Sequence, residues 1–97
     1  MQYKYVIKNL ALRKINTFYR NVSLKYPHTF TSSDMLRYVD KTIDAAYAIE
    51  RSTLRRKPTI DRWQGLYMAH VSSWYFAYSI DGNTVIIHDA CHRLNMR

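Results

Sequence analysis

The stretch WYFAYSIDGNTVIIHDACH, residues 74–92, decides the fold. Aromatic and β-branched residues flank Asp81-Gly82, a pair favoured in type I′ hairpin turns because both residues tolerate positive φ. The reading is a hairpin of Trp74 to Ile80 and Asn83 to Cys91. A two-residue turn at Asp81-Gly82 pairs Ile80 with Asn83, Tyr78 with Val85, Phe76 with Ile87, and Tyr75 with His88. Side chains alternate along a strand, so one face collects Trp74, Phe76, Tyr78, Ile80, Val85 and Ile87 and forms the core face. The opposite face collects Tyr75, Ala77, Ile86, His88, Ala90 and His92. Asp89 falls on the core side in this register, with no evident partner. A further strand within 63–71, with Gly65 near its start, precedes the hairpin; a turn at Ser72-Ser73 would place His70 beside Tyr75.

Working back towards the N-terminus, residues 2–8 alternate, with Tyr3, Tyr5 and Ile7 on one side and Gln2, Lys4 and Lys8 on the other, as in a half-buried strand. Asn9 reads as an N-cap. From there the period becomes helical, with Leu12, Ile15, Tyr19, Val22 and Tyr26 on one stripe, and Pro27 ends the helix. Thr31-Ser32-Ser33-Asp34 has the spacing of a capping box, an acid three residues after a hydroxyl. The second helix buries Leu36, Val39, Ile43, Ala46 and Tyr47 and ends near Glu50. The connector Arg51-Ser52-Thr53-Leu54-Arg55-Arg56-Lys57-Pro58 is basic, and its proline bars further helix. The fold class is α+β, a single domain over 1–97: an N-terminal strand, a helical hairpin, then a three-stranded antiparallel meander in one sheet with the first strand.

The totals bound what such a chain does. Of its 97 residues, 47% are hydrophobic, enough for a core, and only 2 Gly and 2 Pro argue against long disordered stretches. Its 9 tyrosines place several hydroxyls at the core edge or in a groove. The single cysteine, Cys91, cannot form a disulfide within the chain. No apolar run approaches the ~20 residues that span a bilayer, and the N-terminus lacks a signal-peptide core. The expected setting is the cytoplasm, without a membrane partner. Lys and Arg total 15 against 7 acids, a net charge of +8, and no acid precedes Asp34. A field of that sign selects an anionic partner.

Candidate chemistry gathers on the second sheet face. His88, His92 and Tyr75 could exchange protons or stack on a base, while Arg55, Arg56, Lys57, Arg62 and Arg93 could hold phosphates. The same pattern also reads as a half-exposed polar sheet face. His88, Cys91 and His92 are close in sequence, but no Cys-x-x-Cys is present and Cys91 points away from both histidines on a regular strand. No metal or cofactor is expected, and Cys91 reads as a small buried hydrophobe.

From Trp74 to Met96, the sequence resembles the terminal hairpin of the RelE/ParE superfamily, the toxin halves of bacterial type II toxin–antitoxin modules. Tyr78, Asp81-Gly82, Val85-Ile86-Ile87 and His92-Arg93 occupy the family's tyrosine, turn, aliphatic strand and basic pair. The order of elements and the basic connector extend the likeness over essentially the whole chain. The resemblance implies a toxin neutralised by an acidic antitoxin. It implies one of three actions: that of a ribosome-dependent mRNA endoribonuclease, inhibition of DNA gyrase as in ParE-like members, or that of a relic which only binds its antitoxin. On the nuclease side, His92, His88 and Tyr75 would be catalytic, and Arg55, Arg56, Lys57, Arg62 and Arg93 would bind RNA phosphate. The strand arginine common in the nucleases is replaced by Tyr75, and no tyrosine follows Tyr78.

Overall fold

The computed structural model describes residues 3–49 and 61–95. Strand β1 (Lys4–Ile7) leads into helix α1 (Asn9–Lys25) and helix α2 (Ser32–Ala46), followed by strands β2 (Tyr67–Val71), β3 (Trp74–Asp81) and β4 (Thr84–His92). Short 3-10 turns lie at Asp61–Trp63 and Arg93–Asn95. The strands form one sheet in the order β1-β4-β3-β2. The pairs β2–β3 and β3–β4 are antiparallel, and β1 runs parallel to β4. A parallel pair needs a crossover, which the helical hairpin and the first two meander strands supply.

The expected core face is correct. Trp74, Phe76, Tyr78, Val85 and Ile87 are all buried, and they pack with Ala11, Ile15 and Tyr19 of α1 and Val39 and Ala46 of α2. α1 lies against β4, whereas α2 lies mainly against α1. A helix that packs chiefly on another helix needs only a narrow apolar face. α2 therefore buries Val39, Thr42 and Ala46, and leaves the expected core residues Leu36 and Tyr47 exposed. Tyr26, also expected inside, sits at the end of α1 and is exposed.

The two helix starts differ. Thr31 closes the expected capping box: its hydroxyl accepts from the Asp34 amide at 3.3 Å, and the Asp34 carboxylate accepts from the Thr31 amide at 3.0 Å. Those bonds hold the Asp34 carboxyl below its usual pKa. At α1, Lys8 rather than Asn9 is the N-cap, and it makes no side-chain cap. β1 delivers the chain into this helix through a bond from the Lys8 amide to the Ile87 carbonyl, 2.9 Å long.

The hairpin register also differs from expectation. The turn residues are Gly82 and Asn83, because Asp81 pairs with Thr84 and Ile80 with Val85. Gly82 has φ +61° and Asn83 is not in the positive region, which suits a type II′ turn with glycine first. Further along, Tyr78 pairs with Ile87 and Ala77 with Asp89, so His88 is the extra residue of a β-bulge. A bulge resets the alternation of faces. Ala90 consequently joins the helix-covered core, and Cys91 joins a smaller cluster with Trp63, Met68 and Ala77. The Ser72-Ser73 turn forms as expected, with Ser72 at φ +59°, and pairs His70 with Tyr75.

Candidate anion-binding cleft

The bulge decides the site. It turns His92 towards the helices, where its ring stacks on Phe18 at 4.2 Å and meets the edge of Trp74 at 5.4 Å. The Leu94 amide donates to His92 Nδ1 at 3.3 Å, so the proton of the neutral ring resides on Nε2. Burial, and then the neighbouring charge of Arg93, hold the imidazole below its ordinary pKa. The ring is therefore a neutral hydrogen-bond donor near pH 7.

His92 lines a cleft of about 490 Å³ between α1 and the end of β4. Arg13, Lys14 and Arg62 line it too, with Thr17, Asn21 and Asn95 adding polar groups. Among the described lining residues there is no acid. A concave surface of this kind concentrates positive potential, which the Asp89 carboxylate paired with Lys14 offsets in part.

Asp89 orders the cations from just behind the cleft. Lys14 Nζ lies 2.8 Å from its Oδ1 and 3.0 Å from its Oδ2. Trp63 Nε1 donates to Oδ2 at 2.8 Å, and Arg62 Nε lies 3.9 Å from the same oxygen. β1 pairs with β4 only as far as Ile87, so the flank of β4 at Asp89 is open to these side chains. Burial alone would raise the Asp89 pKa. Hydrogen bonds from Lys14, Trp63 and the Ala90 amide, with the Lys14 charge, outweigh it and lower the value. The bulge and these partners account for the one residue that the expected register left unexplained.

The histidines and tyrosine expected to work together are separated. Tyr75 lies on the other sheet face, stacked on His70 at 4.3 Å with the rings 7° from parallel. His88 is on that face as well, its Nε2 2.7 Å from Ser79 Oγ. Its pKa is lowered, chiefly by burial and then by Lys8. Only His92 reaches the cleft. Of the expected phosphate-holding residues, Arg62 lines it, while Arg93 is exposed beside His92 with its amide bonded to the Ser73 carbonyl at 2.8 Å. Arg55, Arg56 and Lys57 lie outside the described residues. Cys91 is buried, as expected. Arg13, Lys14 and Phe18 were not singled out from sequence; the signal for the first two was their adjacency within the acid-free first third.

No family model matches the sequence, and no curated protein shows significant sequence similarity to it. Two solved structures match over nearly their full length. One is the chromosomal ParDE toxin–antitoxin system from P. aeruginosa, with a TM-score of 0.70 and 8% identity, covering 94% of this chain and 96% of that one. The other is the RelBE2 toxin–antitoxin complex from Mycobacterium tuberculosis, with a TM-score of 0.59 and 22% identity, covering 96% and 100%. This chain has a RelE/ParE-type toxin fold. Within the RelE/ParE-type fold, the cleft lies where α1 crosses the end of the last strand. Among the described residues, no helix is long and apolar enough to cross a membrane.

Proposed function

We propose that this chain is the toxin half of a type II toxin–antitoxin module, restrained by an acidic antitoxin, and that it cleaves mRNA at the ribosome. The observation that supports the RNA reading best is the cleft itself, with His92 set among Arg13, Lys14 and Arg62. Cleavage forms a bond from the ribose 2′-oxygen to phosphorus as the bond to the 5′-oxygen breaks. The 2′-hydroxyl passes its proton to solvent water, and the leaving 5′-oxygen takes one from solvent. His92 Nε2–H donates at the phosphoryl group, and Arg13 and Arg62 offset the charge that develops there. Arg93 and the connector residues Arg55, Arg56 and Lys57 add grip on flanking phosphates in this reading.

A second reading, inhibition of DNA gyrase by binding alone, is favoured by one observation. His88 and Tyr75 are on the far face, so His92 has no second imidazole or tyrosine beside it among the described cleft residues. Primer extension on mRNA from expressing cells separates the two. The nuclease reading expects growth arrest with new mRNA ends, and loss of those ends in His92→Ala by ~10²–10³-fold in rate, the worth of one donor at the developing charge. Arrest without new ends but with altered plasmid supercoiling would replace it with the gyrase reading.

A further inference from the structure

A smaller cavity of about 310 Å³ lies on the other side of Trp74 and His92, beneath the Ser72-Ser73 turn. Tyr19, Tyr38, Lys41 and Thr42 also line it. The two cavities thus share a wall made of the same two rings.

That wall is rigidly built. Trp74 Nε1 donates to the Tyr19 hydroxyl at 3.0 Å. The Tyr19 hydroxyl is 3.2 Å from Thr42 Oγ1, which donates to the Tyr38 carbonyl at 2.9 Å. With Trp74 and Thr42 each committed as donors, the proton between Tyr19 and Thr42 comes from the tyrosine. These hydrogen bonds pin the α2 backbone at Tyr38, a residue 41% exposed, whose ring rests at a tilt against Tyr19 (5.6 Å) and Phe30 (5.3 Å) with Lys41 Nζ 5.5 Å from its centroid. The described lining residues include no acid, since Asp40 and Asp44 of α2 are not among them. The volume is at the lower end of small-ligand sites, roughly 300–1,000 Å³. An exposed ring beside an ammonium group suits a base and its phosphate.

We propose that this smaller cavity is a second nucleotide subsite, continuous with the α1–β4 cleft, in which a base of a single strand stacks on Tyr38 while its phosphate meets Lys41. The proposal rests on the RNA reading of the larger cleft and adds to it the path of the strand, over His92 and Trp74 into the helical hairpin.

The test is fluorescence anisotropy with a labelled 2′-O-methyl hexanucleotide, which cannot be cut at its 2′-oxygens, and with the same strand made abasic. Tyr38→Ala should weaken the base-bearing strand by roughly 5- to 150-fold, the range that base–aromatic stacking supplies, and leave the abasic strand unchanged. Tyr38→Phe should bind as wild type. Lys41→Ala, at an exposed position where folding is not at risk, should weaken both strands and reduce the salt slope by about 0.7, one single-strand phosphate. Arg13→Ala should weaken both as well. Wild-type affinity in both Tyr38→Ala and Lys41→Ala, alongside weak binding by Arg13→Ala, would overturn the subsite and leave the cleft reading standing. Failure of wild type to bind either strand would remove both.

Discussion

Asp89 concentrates the electrostatics of the molecule in one carboxylate, and its partners contribute unequally. Trp63 is 1% exposed, and its indole N–H has Asp89 as its acceptor; Lys14 is 37% exposed at its side chain and can turn to water. Asp89→Ala should therefore cost about 1–3 kcal/mol, set by the stranded indole donor, with the half-exposed ion pair adding little. Asp89→Asn keeps an acceptor for Trp63 and should cost less than about 1 kcal/mol. Equal denaturation midpoints for the two variants would show that the indole bond is not what matters. The histidines give a pH signature. His88 and His92 are both held below the ordinary 6.5, so on acidification the unfolded chain takes up protons first. Their contribution to stability is complete above about pH 6.5 and is lost as pH falls through their folded values. The urea midpoint should drop between pH 7 and pH 5, and the His88→Gln/His92→Gln double variant should flatten that drop.

Turns and bulges carry most of the information at the scale of elements. The type II′ reading makes Gly82 the residue that must hold positive φ, while a Cβ there would meet no atom within 4 Å. Gly82→Ala should thus cost about 1–2 kcal/mol through backbone conformation alone. D-alanine at the same position, introduced by chemical synthesis, should be close to neutral; comparable losses for both enantiomers would point to sterics instead. The bulge at His88 matters more for function. It inserts one residue into β4, and everything beyond it changes face, which carries His92 from the outer surface to the α1 cleft. The α1–α2 pair acts as a lid on the sheet core and, through Tyr19, Thr42 and Tyr38, as the frame of the second cavity.

Over the whole molecule, α1 sits between two tasks, its buried side closing the core and its basic side lining the cleft. Phe76 lies at the centre of that core and is fully buried. Phe76→Ala should cost about 3–5 kcal/mol, and a denaturation midpoint that barely moves would contradict its central place. The net charge of +8 makes every proposed association salt-dependent, because exposed charges are screened beyond ~8 Å at physiological ionic strength.

The order of elements, the buried sheet face and the capping box at Thr31 were legible in the sequence by itself, because each rests on local periodicity or on a hydrogen bond three residues long. Basic character was legible too, since charge is a sum over residues. The cleft was not. Its position depends on a bulge, and the pairing of two strands that creates a bulge is chosen by contacts across the sheet: Ala77 against Asp89, and Asp89 in turn against Trp63 and Lys14, residues 26 and 75 positions away. A strict alternation assigned His88, His92 and Tyr75 to one face; one inserted residue divided them between two. Only the tertiary structure could make that assignment, because a strand's alternation is a local rule and its register is a global one.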